Sequence, residues 1–218
     1  MDLLHYVDEL VPPTLQDEIE NRLTFFDGWS YTPDTSAGAK IDKNNKNLLE
    51  SFQLVRMMYS REAGSMHEFY DSLVKPIMYF FQHNTGVAVT EDMLIRVKAN
   101  LLTPIEGKTN DTHSMPHVDL GVPNSVSMVY YVNDTDGDTF IFDKYEGQPD
   151  QDIHSLHSQQ QTEHKNYHNL KVMHRQPPKK GSAIIFDANR YHASSNPSVG
   201  DRKVINFCMF VDNYEELK

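Results

Sequence analysis

The chain has 218 residues, a single cysteine and a formal net charge of −11. That length can bury a full core in one domain, while the acidic balance argues against a general nucleic-acid surface, which needs Lys and Arg to neutralise phosphate. No apolar run reaches membrane-spanning length, residues 1–5 lack the regions of a secretory leader, and lone Cys208 rules out an intramolecular disulfide, so a cytoplasmic protein with no membrane partner is expected. Taken in chain order, Pro12-Pro13-Thr14 opens a helical pattern to about residue 25, with Leu15, Ile19 and Leu23 on one face. Gly28-Trp29-Ser30-Tyr31 and Ser51-Phe52-Gln53-Leu54-Val55 are candidate strands either side of a polar loop at 34–47. A second helix is predicted over 65–83, where Phe69, Leu73, Ile77 and Phe80 make a stripe suited to packing on a sheet.

Residues 1–94 therefore read as a support region and 95–212 as the core of one domain. Arg96 and Lys98, near the start of that core, and Lys108 beyond them read as a solvated face rather than a basic groove. Ser125 to Asp134 is an alternating β-branched and aromatic run, read as a buried strand. A turn at Asp136-Gly137-Asp138 then leads to Thr139-Phe140-Ile141-Phe142, read as the returning strand of a hairpin. A polar insert over about 144–171 follows, carrying His154, His157, His164 and His168. It is read as a mobile cover over a pocket in preference to a Zn²⁺ site. Pro177-Pro178-Lys179-Lys180-Gly181 leads stiffly into a strand at Ser182–Asp187, and Arg202–Phe210 is the last strand, with Cys208 as a small buried residue.

Chemistry concentrates at His117-Val118-Asp119 and, far downstream, at His192 and Arg202. On an extended strand residues i and i+2 point to the same side, so His117 and Asp119 can reach one ion while Val118 packs behind them. Two imidazoles and one carboxylate on one face of a non-haem Fe(II) leave its other positions open for a cosubstrate and dioxygen. With 11 His in the chain, chance alone produces roughly one His-x-Asp triplet, so the surrounding pattern has to carry the assignment.

That pattern resembles the 2-oxoglutarate and Fe(II)-dependent oxygenases, within them the prolyl 4-hydroxylase-like branch with its small bacterial and phage-encoded members. The resemblance covers about residues 95–210. It rests on Pro116-His117-Val118-Asp119, Tyr130-Tyr131-Val132-Asn133, Gly137-Asp138-Thr139-Phe140, Phe186-Asp187 ahead of Tyr191-His192, and an Arg ten residues later. It implies a mainly β fold: a double-stranded β-helix, the cupin-like jelly-roll of two facing antiparallel sheets, buttressed by N-terminal helices. Its second strand would supply His117 and Asp119, and its seventh His192, as ligands to Fe(II). It further implies 2-oxoglutarate as cosubstrate, its distal carboxylate held by Arg202 and by the Tyr131 hydroxyl. Dioxygen would be the oxidant and ascorbate a supporting reductant, with succinate and CO2 released as a C–H bond is hydroxylated. Asn206 shares strand parity with Arg202 and should face the same pocket. Where many members of the branch place a Tyr on the strand before His-x-Asp, the nearest match here is Asn100, with Lys98 beside it. An Asn can still hydrogen-bond a carboxylate.

A prolyl or other peptide or protein residue is the preferred substrate, a free amino acid or small metabolite the next. Alkylation-repair demethylases carry Asn and Arg two and six residues beyond the cosubstrate Arg, where this chain has Val204 and Cys208, so nucleic acid is not expected as a partner. Two other classes stay open. A non-enzymatic cupin-like binding protein would not need Arg202 and Tyr131 in phase, and a Zn²⁺ hydrolase or isomerase could use the same three ligands.

Overall fold

Eleven strands make two antiparallel sheets in the computed structural model, which describes residues 3–33, 52–146, 170–212 and 214–217. The strands are β1 (Leu4–Val7), β2 (Ser30–Thr32), β3 (Gln53–Ser60), β4 (Gly64–Ser65), β5 (Leu94–Leu102), β6 (Ser125–Tyr131), β7 (Thr139–Tyr145), β8 (Val172–Gln176), β9 (Ala183–Asp187), β10 (Arg190–Ser194) and β11 (Arg202–Phe210). The large sheet runs β1-β9-β6-β11-β5-β3-β2, with β4 paired to β3. The small sheet runs β10-β7-β8. Isolated bridges His113–Ser195 and His117–His192 add the segment 113–117 to the free side of β10. Counted from β5 with the bridged segment 113–117 as the second, His192 lies on the seventh strand, and the chain changes sheet at every step but β7 to β8, as a double-stranded β-helix does. Among the described residues no helix is long and apolar enough to cross a membrane.

Every residue of β6, and all but the last of β11, is buried, because the central strands are covered on both sides. Alternation therefore separates two interiors rather than core from solvent. Val126, Met128 and Tyr130 of β6 and Ile205, Phe207 and Met209 of β11 join a large apolar cluster with α1 (Pro13–Thr24) and α2 (Lys75–Thr85). The helices enter it through Ile19 and Leu23 and through Ile77, Met78 and Phe81. The alternate residues Val129, Tyr131 and Val204 turn towards the small sheet, where they meet Ile141 of β7.

Two expectations change. The helix foreseen over 65–83 begins later, as a π-helical turn at Tyr70–Val74 running into α2. Pro76 in the first turn of α2 has no N–H to donate back, and the Lys75 N–H reaches the Tyr70 carbonyl five residues earlier. Nor do β6 and β7 form a hairpin: β6 pairs with β9 and β11, while β7 crosses to the other sheet and pairs with β8 and β10. The loop between them is held across the gap. Asn133 accepts the Lys203 N–H, and Asp138 pairs with Arg175 of β8. The polar loop at 34–47 and nearly all of the His-rich insert, with its foreseen role as a cover, fall outside the described residues.

Gly181 closes the turn before β9 with φ of +80°, and a Cβ there would stand 2.2 Å from the Gln16 side chain, whose amide donates to the Val11 carbonyl. Gly181→Ala should therefore destabilise the fold by roughly 1–3 kcal/mol, read as a lower urea midpoint.

Candidate metal centre

His117, Asp119 and His192 come together as the one cluster of its kind among the described residues, their ligand atoms all within 4.8 Å of one another. The local backbone explains how. His117 and His192 exchange both backbone hydrogen bonds at 2.9 Å, and the Asp119 and Leu120 N–H groups both donate to the Ala188 carbonyl at 3.0 Å. Residues 117–120 are thereby tied to the turn and strand that carry His192. The pairing stops there: the expected second strand is reduced to isolated bridges, and Asp119 lies in a bend rather than on a ladder. On β10 the register shifts between Arg190 and His192, an irregularity of the kind that re-aims a side chain beside a site.

Each imidazole is oriented by its own chain. His117 Nδ1 lies 3.3 Å from the Met115 carbonyl and His192 Nδ1 3.1 Å from that of Arg190. A carbonyl can only accept, so Nδ1 carries the proton in both rings and Nε2 keeps its lone pair for the site. The ring centroids are 4.4 Å apart, and His192 Nε2 stands 3.5 Å from Asp119 Oδ2. Donors at right angles and about 2.1 Å from a shared ion are roughly 3 Å apart, so small rotations bring this set onto one metal. The donor set fits Fe(II) bound on one face.

The Asp119 carboxylate is only 4% exposed. Oδ1 accepts from Arg96 at 2.8 Å, and Oδ2 accepts from Ser127 at 2.7 Å and Asn206 at 3.0 Å. Burial alone would raise its pKa. The charges of His192, Arg96 and His117, with the Asn206 hydrogen bond, outweigh burial and hold it below the usual carboxylate range. Burial, and His192 after it, press His117 down to about 3, so its imidazole is neutral and able to ligate at neutral pH. Buried Cys208 receives an Arg96 N–H at 3.2 Å, and burial lifts its thiol to about 12.

The triad opens onto a small polar cleft. Gln53, Lys98, Asn100, Val129, Thr139, Arg202, Val204 and Asn206 share its lining. Arg202 is 3% exposed, with Nε donating to the Gly137 carbonyl and Nη2 to Thr139 Oγ1. The Tyr131 hydroxyl does not point to a free position in the cleft; it donates to the same Thr139 oxygen at 2.8 Å. Asn206 and Asn100 both line the cleft, and Asn206 is committed to Asp119. The reading of Arg96 and Lys98 as a solvated face is corrected: β5 turns Arg96 to Asp119 and Lys98 into the cleft, where burial lowers the lysine's pKa. Ser127, Thr139 and Gln53 were not foreseen. Ser127 and Thr139 were legible as polar residues in phase with Val129 and Ile141.

No family model and no curated protein sequence matches the chain. Solved structures do match it in fold. An oxidoreductase of the 2OG-Fe(II) oxygenase family from Burkholderia pseudomallei is 12% identical, with a TM-score of 0.59 over 95% of this chain and 85% of that one. The non-haem α-ketoglutarate-dependent epimerase SnoN from nogalamycin biosynthesis is 14% identical, with a TM-score of 0.56 over 96% and 79%. It has also been solved with Fe3+, α-ketoglutarate and nogalamycin RO. A prolyl hydroxylase from Trichoplax adhaerens, solved with a hypoxia inducible factor peptide fragment, is 13% identical, with a TM-score of 0.53 over 100% and 88%. The structural neighbours are thus 2-oxoglutarate and Fe(II) oxygenases, prolyl hydroxylases among them, and what this chain shares with them is the double-stranded β-helix.

Acid should act on the metal-free protein through His117. Unfolded, this side chain takes up a proton below its ordinary 6.5, while folded it resists down to about 3, so stability present above pH 6.5 is lost progressively as pH falls between those values. The thermal midpoint should drop across that window, and more shallowly in His117→Leu; equal slopes would show that His117 is not buried neutral.

Proposed function

We propose that the chain is an Fe(II)- and 2-oxoglutarate-dependent dioxygenase that hydroxylates an unactivated C–H bond, with a prolyl or other amino-acid unit as its target. The observation that carries this reading is a single cleft with a two-His, one-carboxylate donor set and the buried guanidinium of Arg202 in its walls. A cupin-like binding protein has no need of that guanidinium, and three ligands alone would suffice for hydrolytic Zn²⁺ chemistry.

Bound Fe(II), with 2-oxoglutarate and O2, supplies the oxidising power for C–H hydroxylation, succinate and CO2 being the coproducts and ascorbate an external reductant that keeps the iron ferrous. The protein's residues do the rest. His117 and His192 offer Nε2 and Asp119 offers Oδ2, the carboxylate oxygen 3.5 Å from His192 Nε2, while Arg96, Ser127 and Asn206 hold the carboxylate in place. Arg202 spends Nε and Nη2 on Gly137 and Thr139, leaving Nη1 for the distal carboxylate of the cosubstrate. Tyr131 holds Thr139 from behind. With two protons already directed at it, the Thr139 oxygen can turn its own hydroxyl proton to that carboxylate, and Tyr131 contributes through this relay. Asn206 keeps the Asp119 carboxylate in register, and the apolar Val129 and Val204 keep water from the cosubstrate chain.

The metal-loaded protein should convert 2-oxoglutarate slowly to succinate even without a substrate, and with one should yield a product that has gained one oxygen atom. His117→Ala, Asp119→Ala and His192→Ala should each abolish metal binding and this turnover. Normal turnover in His192→Ala would falsify the metal assignment.

Arg202→Ala should keep the metal and raise the 2-oxoglutarate requirement about 30-fold or more, since losing a buried charged contact costs roughly 2–5 kcal/mol. Gly137→Ala, whose Cβ would stand 2.7 Å from Arg202 Cδ, should weaken the cosubstrate in the same direction. Unchanged affinity in both variants would remove Arg202 from the site.

A further inference from the structure

We propose that Lys98 is the anion-recognition residue for the primary substrate, and that this substrate is a small free carboxylic acid of the α-amino acid class rather than an internal residue of a peptide. The assignment rests on the oxygenase reading above and gives it a substrate class.

The register of the large sheet separates two cationic walls. On β11 the cleft-facing row is Cys208, Asn206, Val204 and Arg202. On β5 it is Arg96, Lys98 and Asn100, with Lys98 paired to Asn206 on one side and to Met57 of β3 on the other. Lys98 thus reaches the cleft one strand nearer to β3, whose Gln53 also lines it, while Arg202 enters from β11 beside Thr139. Two cations on different strands of one cleft address two different anionic groups, and the cosubstrate's distal carboxylate accounts for Arg202 alone.

Lys98 has no carboxylate of its own. Among the described residues it makes no hydrogen bond or ion pair, and the acidic group nearest in function, Asp119, is filled: Arg96 takes Oδ1, and Ser127 and Asn206 take Oδ2. A partly desolvated ammonium without a counter-ion is costly, and an incoming carboxylate removes that cost. The charge balance points the same way. Arg96 and Asp119 cancel, and with a divalent metal and doubly charged 2-oxoglutarate both bound, Lys98 and Arg202 still leave the cleft positive.

Asn100 narrows the class. Two residues along the same face from Lys98, its Oδ1 is buried without any hydrogen-bond partner, and an amide oxygen can only accept. A carboxylate cannot satisfy it; an ammonium or N–H can. A carboxylate for Lys98 beside a nitrogen donor for Asn100 is the pattern of an α-amino acid. An internal peptide residue other than Asp or Glu brings the N–H but no carboxylate.

The test is binding to the protein loaded with Mn(II) and 2-oxoglutarate, read by calorimetry and thermal midpoint, with the proteinogenic L-amino acids, their carboxamides and a proline-rich peptide as probes at millimolar concentration. At least one free amino acid should bind and raise the midpoint, with its carboxamide weaker by about 30-fold. Lys98→Met should lose the acid by a similar factor while keeping 2-oxoglutarate affinity, which also shows that the variant is folded, and Lys98→Arg should restore part of the binding. The proposal is overturned if no free acid binds, if acid and carboxamide bind alike, or if the peptide binds and Lys98→Met leaves it unaffected. It is equally overturned if Lys98→Met weakens 2-oxoglutarate, which would assign the lysine to the cosubstrate. Failure of wild type to bind 2-oxoglutarate at all would instead remove the oxygenase reading, and with it this one.

Discussion

A buried carboxylate governs the inner face of the large sheet. Taking an ionised Asp out of water costs several kcal/mol unless charge and hydrogen bonds are restored to it. Here the restoration comes from three adjacent strands, each giving an inward position to Asp119: Arg96 from β5, Ser127 from β6 and Asn206 from β11. Because those partners must be polar and in phase, the row of the sheet nearest the metal-binding end cannot be apolar, and the cavity that forms there is a polar one. The same network fixes the carboxylate before any ion arrives, so the donor set is largely preorganised.

The second constraint is coverage of the sheet on both faces. Helices α1 and α2 and their apolar partners fill one side, which frees the other to hold a cleft without exposing the main core. On the cleft side Tyr131, Val129 and Ile184 form a small apolar floor, and Arg202 of the large sheet reaches Thr139 of the small one beside it. Arg202 is stiffened by two contacts on one edge of its guanidinium. A charge held in that way, with one nitrogen left over, is suited to reading a single carboxylate rather than to general attraction.

The fold it shares with solved oxygenases does not by itself select the chemistry, since an epimerase and a prolyl hydroxylase use the same scaffold. On β5 this chain carries a second positive charge, Lys98, two residues from an acceptor without a donor, Asn100 Oδ1. Both lie on β5, the strand paired to the β11 that carries Arg202.

The strands at 125–131, 183–187 and 202–210 and the helix at 13–24 were legible in the sequence, because hydrophobic periodicity and Pro or Gly punctuation are local signals. So was the metal triad, since i, i+2 spacing and the downstream His and Arg are properties of the chain order. The fate of side chains that must choose between two interiors was not legible. Arg96 and Lys98 look alike on a strand that could face solvent, and only the pairing of β5 between β11 and β3 turns them inward. The Tyr131 hydroxyl and Thr139 lie eight residues apart on what reads as a hairpin, but the crossing of β7 to the second sheet makes them meet across the cleft floor. Sequence alone determined the order and spacing of the candidate residues His117, Asp119, His192 and Arg202. Tertiary structure decided which charges share a cavity, because sheet order is set by burial and pairing among segments far apart in the chain, which no local spacing records.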